Sequence, residues 1–163
     1  MQRAYETAAI CGEILQLPVI THMGLREMDV GDWSSLTWAE AQQQFREDFA
    51  SWQQDPVHYR RGGAESFADL QQRVEKTWRE IESQCESENI ILVCHAGTIR
   101  AFFSMLSIYD PNTALQLPVA HCAITTFTFA NQSVRLLGHN DTQHLQREER
   151  RYRSFHQKEF LQE

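Results

Sequence analysis

One apolar run constrains the fold more than any other feature of this sequence. Residues 89–94 are mostly β-branched and aliphatic without alternation, which is typical of a strand buried on both faces. The tripeptide His95-Ala-Gly97 follows at once, and apolar residues at helical spacing come next: Ile99, Phe102, Phe103 and Leu106. A strand that turns directly into a helix predicts an α/β architecture, in which ligands bind beyond the carboxyl end of the strand.

Three further helices are predicted from capping signals and apolar stripes. One covers residues 2–15, a second begins at the capping box of Thr37 and continues to Trp52, and a third begins at Ser66. The aromatic residues of the second region allow two interpretations, a lid over an apolar ligand or a helix core. They are Trp33, Trp38, Trp52 and Tyr59.

The strands that this sequence offers do not complete a sheet around residues 89–94. Residues 19–22 form only a short extended piece, and residues 122–130 and 133–137 predict two strands joined by a tight turn. A strand buried on both faces needs neighbours on both sides. Because no strand precedes the first helix, we expect that strands are missing at the N-terminal end of this sequence.

Composition limits the class of protein. With 163 residues and 42% hydrophobic content, we expect one domain over residues 1–145 and a polar, helical tail over residues 146–163. The net charge of −7 argues against nucleic-acid binding and against an anionic membrane surface. The sequence also shows neither a membrane-spanning stretch nor a secretory leader, and its four cysteines form no C-x-x-C pair. We therefore expect a cytoplasmic protein with reduced thiols.

Four short motifs occur in one order along the chain. They are residues 2–8 with Arg3, residues 25–33 with Glu27, residues 62–66, and residues 93–100 with His95. Together they resemble the histidine phosphatase superfamily, most closely its short bacterial α-ribazole-phosphatase-like members. The resemblance implies the phosphoglycerate-mutase-like fold, a three-layer α/β sandwich with a mostly parallel sheet, which in this chain lacks its first strands.

The resemblance also implies roles for individual residues. Arg3 would clamp the phosphate, Glu27 would be the general acid that protonates the leaving oxygen, and His95 would hydrogen-bond the phosphoryl group. The backbone of Ala96 and Gly97 would line the same pocket. The implied substrate is a small phosphate ester, and no metal or organic cofactor is implied. From the residues alone, Glu27 can equally be a solvated loop carboxylate and His95 a structural histidine.

The sequence departs from the family at the nucleophile. The family forms its phosphohistidine on an Arg-His-Gly motif, and this tripeptide is absent from the 163 residues. We therefore expect an N-terminally shortened phosphatase with little turnover as given. Two alternatives stay open: a non-catalytic protein that binds phosphate esters, and a remnant whose folding depends on a partner through strand exchange. An uncovered sheet edge would favour a homodimer.

Overall fold

The computed structural model describes residues 2–85, 89–130 and 133–145. The chain divides into two compact units, one within residues 1–115 and one within residues 116–163. The elements in chain order are α1 (Gln2–Leu15), α2 (Trp38–Gln44), α3 (Arg46–Gln54), α4 (Phe67–Gln84), α5 (Ala96–Met105), α6 (Pro111–Gln116), β1 (Ile124–Ala130) and β2 (Ser133–Asp141). In these ranges no helix has the length and apolar character needed to cross a membrane. The predicted tail over residues 146–163 lies outside the described residues.

Helices α4 and α5 pack together and supply the main core of the first unit. The capping box that begins α4 is present, because the Ser66 hydroxyl accepts from the Asp69 amide at 3.1 Å and the Asp69 carboxylate accepts from the Ser66 amide at 2.9 Å. The predicted apolar face of α5 is buried at Phe102 and Phe103 and half-buried at Ile99 and Leu106. The buried core residues of the two helices are Phe67, Leu70, Val74, Ala101, Phe102 and Phe103. Both helix predictions are confirmed.

The helix predicted from Thr37 to Trp52 is interrupted. Its capping box is present, but α2 ends at Phe45, where φ is −121° and ψ is 49°, and α3 begins after it. An unbroken helix would hold Trp38 and Trp52 about 21 Å apart, at a rise of about 1.5 Å per residue. The break lets their rings stack with centroids 5.0 Å apart. Aromatic packing thus overrides the helical pattern.

These rings belong to an aromatic cluster. Trp33, Ala41, Phe49 and Trp52 are buried together, and partly buried Trp38 and Tyr59 pack against them. The Trp33 and Phe49 rings stack at 5.4 Å. Of the two interpretations that the sequence left open, the structure supports the core.

The strand predicted at residues 89–94 is not formed. This segment has no sheet partner among the described residues, and Ile90 and Ile91 are 38% and 61% exposed. The extended piece at residues 19–22 is likewise unpaired, and in α1 only Gly12 is buried. A strand must satisfy its backbone groups through a neighbour, and no described segment pairs with this one. The mostly parallel sheet is therefore not confirmed.

The second unit contains the predicted hairpin. Strands β1 and β2 are antiparallel, with Phe127 opposite Leu136, and the register is irregular between Ile124 and Phe127. The second strand is longer than predicted and continues to Asp141. The predicted turn at residues 131–132 lies outside the described residues. The four cysteines of the chain are free thiols.

Candidate functional site

His95 lies where the sequence places it, after residues 89–94 and at the N-cap of α5. It is only 6% exposed, and Arg3 Nη2 lies 3.1 Å from its Nδ1. A guanidinium can only donate, so Nδ1 is the acceptor and the proton of the neutral imidazole lies on Nε2. His95 therefore presents an N–H donor on the side of the ring away from Arg3.

The surroundings of His95 favour its neutral form. Burial is the largest cause that lowers its pKa below the usual 6.5, and the positive charge of Arg3 lowers it further. The carboxylate of Glu27 acts in the opposite direction and raises the pKa. An uncharged imidazole near pH 7 can donate a hydrogen bond from its Nε2–H group to an oxyanion.

Glu27 is fixed by two backbone amides. Its Oε1 accepts from the Met28 amide at 2.9 Å and from the Gly97 amide at 3.0 Å. A Cβ on residue 97 would lie 2.4 Å from this oxygen, so the approach requires glycine. Among the described residues no donor to Oε2 is found, so this oxygen has no hydrogen-bond partner there that a ligand would have to displace.

Two further guanidinium groups lie near Glu27. Burial lowers the pKa of Arg61 to about 10, the charge of Arg100 adds to this effect, and Glu27 opposes it. The pKa of Arg100 is also lowered by burial and raised by Glu27. Glu27 thus interacts electrostatically with both groups, and Arg3 lies beside His95. Guanidinium groups gathered at a partly buried site favour an anionic ligand.

Arg61 is held mainly by aromatic faces. Its guanidinium carbon lies 5.3 Å from the Trp52 ring centroid and 5.7 Å from that of Trp38. Its Nη2 donates to the Met28 sulfur at 2.8 Å, and its Nε is buried without a hydrogen-bond partner in the part of the chain that the structure describes. Arg61 thus borders the Glu27 site with unused donor capacity.

The structure brings together all five residues that the sequence predicts for the site. Arg3 contacts His95, and Glu27 contacts Gly97, while Ala96 is the first residue of α5 beside them. Their catalytic and binding roles stay predictions. Sequence reasoning missed Arg61 and Arg100. Arg100 lies five residues after His95 in a motif already singled out, which is the signal that points to it.

Two other kinds of site are not supported by the geometry. Burial raises the pKa of the Cys94 thiol to about 12, so it is a poor nucleophile despite its place next to His95. Within residues 2–85, 89–130 and 133–145, no group of three His, Cys, Asp or Glu side chains is arranged to hold a metal ion.

Proteins of known sequence are similar to this chain over most of its length. It is 34% identical over 126 residues to a 6-phosphofructo-2-kinase/fructose-2,6-bisphosphatase of Aquarana catesbeiana, covering 77% of this chain and 25% of that protein. Identity to the human 6-phosphofructo-2-kinase/fructose-2,6-bisphosphatase 1 is 32% over 126 residues. The chain thus spans about a quarter of the length of these curated relatives.

Solved structures share its fold. The α-ribazole phosphatase from Shigella flexneri matches with a TM-score of 0.77 at 24% identity, covering 86% of this chain and 70% of that one. A mycobacterial glucosyl-3-phosphoglycerate phosphatase in complex with VO3 matches with a TM-score of 0.74 at 27% identity, covering 86% and 72%. Both similarities indicate the α/β fold of histidine phosphatases.

The family model agrees with the motifs and the site. The model of the histidine phosphatase superfamily (branch 1) matches residues 1–142, which include every predicted site residue. This chain therefore belongs to branch 1 of the histidine phosphatase superfamily.

Proposed function

We propose that this chain supplies the acid and phosphate-binding part of a phosphatase that hydrolyses small phosphate monoesters through a phosphohistidine. One observation carries the proposal: Glu27 is fixed by the Gly97 amide beside a buried His95, with Arg3 in contact with that histidine. Phosphoryl transfer requires clamping of the phosphoryl oxygens and a proton for the leaving oxygen. This arrangement offers both.

The first step transfers the phosphoryl group to a histidine. The nucleophilic nitrogen attacks phosphorus, so a P–N bond forms while the ester P–O bond breaks. Oε2 of Glu27 gives its proton to the departing oxygen, which leaves as an alcohol. Arg3 and the Nε2 proton of His95 bind the non-bridging oxygens, whose charge they stabilise in the transition state.

The second step releases phosphate. Water attacks the phosphorus, its oxygen forms the new P–O bond, and the P–N bond breaks. Glu27, now a carboxylate, takes the proton of the water and is ready to act as an acid again. The nucleophilic histidine is returned unchanged, and inorganic phosphate and the alcohol are the products.

The nucleophile in this proposal lies on a segment outside these 163 residues, because no Arg-His-Gly tripeptide occurs within them. Residues 89–94 support this, since they have no sheet partner in the described part of the chain and expose Ile90 and Ile91, which precede the buried His95. A strand placed alongside them would complete a mostly parallel sheet and bring its own histidine close to His95. The chain by itself is then expected to turn over phosphate esters slowly.

The substrate is proposed as a small phosphate ester of the α-ribazole 5′-phosphate type or of similar size. The names of the relatives support this class, because each phosphatase named above acts on a small phosphorylated compound. A cytoplasmic location and a homodimer, both expected from the sequence, remain predictions.

A second function is favoured by one observation. The site keeps Arg3, Glu27 and His95 in contact with one another or with α5, although the family's nucleophile motif is absent from the sequence. A protein with these features could bind phosphate esters without cleaving them.

The intact mass of the protein from its own cells separates the two functions. A mass clearly above 19.0 kDa, with Arg-His-Gly in the added segment, is the result expected for the phosphatase. That longer form should then hydrolyse phosphate esters and form an acid-labile, alkali-stable phosphoenzyme. A mass of 19.0 kDa, together with phosphate binding that Arg3→Gln abolishes, would instead establish the non-catalytic function. Rapid hydrolysis by the 163-residue chain, abolished by His95→Ala, would contradict the proposed external nucleophile.

A further inference from the structure

We propose that Glu65 and Arg73 are positioning residues: their ion pair fixes the backbone of residues 24–29, the Glu27 loop, and thereby holds the Glu27 carboxylate at the Gly97 amide. The inference rests on the proposed role of Glu27 as the acid. Neither residue touches the reacting atoms in this account, and both act through the loop.

The Glu27 loop overlaps one short turn, Met23–Leu25, and otherwise lacks regular structure, so its carbonyl groups need other partners. Arg73 Nη1 donates to the carbonyl of Gly24 at 2.6 Å and to that of Arg26 at 3.1 Å, and Arg73 Nη2 lies 3.5 Å from the Glu27 carbonyl. One guanidinium from α4 therefore reaches three carbonyl groups of the loop.

A hydroxyl from α5 completes this set. Thr98 Oγ1 lies 3.3 Å from the Leu25 carbonyl and 3.1 Å from the Arg26 carbonyl, and Thr98 is fully buried. The loop is consequently fixed against both α4 and α5. The second contact matters because Gly97, the residue that donates to Glu27, precedes Thr98 in the same helix.

Glu65 orients Arg73 and also binds the far end of the loop. Its two oxygens accept from Nε and Nη2 of Arg73, each at 2.8 Å, which is the bidentate geometry that an arginine fork provides. Its Oε2 also accepts from the Asp29 amide at 3.1 Å, and its own amide donates to the Asp29 carbonyl at 3.1 Å. The side chains of Glu65 and Arg73 are only 11% and 15% exposed.

This arrangement needs an arginine. A lysine at position 73 would keep the charge, but its single ammonium group cannot bind Glu65 bidentately and also reach the Gly24 and Arg26 carbonyls. Burial makes the loss of Arg73 costly, because Glu65 would keep only the longer ion pair with Arg26, whose Nη2 lies 3.9 Å from its Oε1. The conservative variant Arg73→Lys therefore tests geometry rather than charge.

The test is amide hydrogen exchange, measured by NMR on the 163-residue chain. In Arg73→Lys we expect the Gly97 and Met28 amides, both donors to Glu27, to exchange at least about tenfold faster than in the unmodified chain. Core amides of α5, such as that of Phe103, should keep their rates. Arg79→Lys is the matched control, because Arg79 lies on the same helix but is exposed and pairs only with Glu75 among the described residues.

Two results would overturn the inference. In one, Gly97 keeps its protection in Arg73→Lys. In the other, Gly97 and Phe103 accelerate equally, which would show a merely structural role. If Arg73→Lys does not fold, Glu65→Gln, which keeps the shape of the side chain, provides the same comparison. Amide exchange requires no turnover, so this test can contradict the positioning inference while the proposed phosphatase function stands. It can also support the positioning inference when the phosphatase function is contradicted.

Discussion

The Glu27 loop and residues 89–94 border the same site but are held in opposite ways. The loop is polar in sequence and irregular in structure, yet Arg73 or Thr98 lies within hydrogen-bond distance of each carbonyl from Gly24 to Glu27. Residues 89–94 have the sequence of a buried strand, yet they lack a sheet partner among the described residues and leave Ile91 61% exposed. In this site, charged side chains rather than regular secondary structure fix the backbone.

The difference follows from where the hydrogen-bond partners come from. The backbone groups of a loop can be hydrogen-bonded by side chains of neighbouring helices. For the Glu27 loop these helices are α4 and α5, which pack against each other. The regular hydrogen-bond ladder of a strand, in contrast, forms only with a neighbouring strand. Whether residues 89–94 form a strand therefore depends on a neighbouring strand, while the carbonyl groups of the Glu27 loop find their hydrogen-bond partners within this chain.

The largest expected effect concerns Gly97, where the two regions meet. In Gly97→Ala the new methyl group would lie 2.4 Å from Glu27 Oε1 and 3.3 Å from Leu70 Cδ2, so the carboxylate must move. In the form that contains the nucleophile, we expect turnover of an alkyl phosphate to fall about 10²–10⁴-fold, the usual contribution of a positioned acid. Gly138→Ala is the control, because nothing lies within 4 Å of a Cβ there. Unchanged turnover in Gly97→Ala would contradict the proposal that the acid must be held at the Gly97 amide.

A pair of truncations compares the packing of the two regions. Leu70 is fully buried, so Leu70→Ala should lower the free energy of unfolding by about 2–5 kcal/mol. Ile91→Ser in this chain should change it by less than about 0.5 kcal/mol, because the side chain is 61% exposed. Urea denaturation measures both. If a longer form covers residues 89–94, Ile91→Ser should become strongly destabilising there, and equal effects in both forms would contradict that covering.

A smaller effect is expected from the pH dependence of stability. The pKa of His95 is lowered by burial in the folded state, whereas in the unfolded chain it is near 6.5. As the pH falls below 6.5, the unfolded chain takes up a proton that the folded chain does not, so stability decreases. The decrease ends once the pH is below the lowered pKa of the folded state. Thermal unfolding of His95→Asn should show a shallower decrease over this range, and identical slopes would show that His95 contributes nothing.

The smallest effect is expected at the surface of α4. Arg79 pairs with Glu75 one turn away, and its side chain is 74% exposed. Arg79→Gln should change the free energy of unfolding by only about 0.3–0.5 kcal/mol, as is usual for exposed pairs of this spacing. A loss of several kcal/mol in urea denaturation would show that exposed pairs on this helix matter as much as the buried pair of Glu65 and Arg73.

The sequence predicts those elements whose structure is determined by residues within or next to the element. Helices α4 and α5, the capping boxes at Thr37 and Ser66 and the hairpin of the second unit follow from spacing and turn residues near each element. The same applies to His95 and Gly97, which a strand-to-helix junction marks. Local patterns of this kind need no knowledge of the rest of the fold.

The remaining features depend on distant partners. The break at Phe45 results from packing of aromatic rings, which helical periodicity does not reveal. Arg73 binds backbone carbonyl groups, and every residue has a carbonyl, so no motif marks its acceptors. The strand prediction for residues 89–94 is wrong because it also depends on a distant partner. Their composition indicates a strand but does not show whether a neighbouring strand is present.

The aromatic cluster gives this protein an unusual optical property. Three of its four tryptophans, Trp33, Trp38 and Trp52, lie within contact distance of one another, with ring centroids 5.0 to 6.2 Å apart. Indoles at such separations couple electronically, and the near-ultraviolet circular dichroism of the chain should be dominated by this group. Arg61 lies over two of these rings. An anion that draws its guanidinium away would change the spectrum, so binding near Glu27 can be followed without any added label.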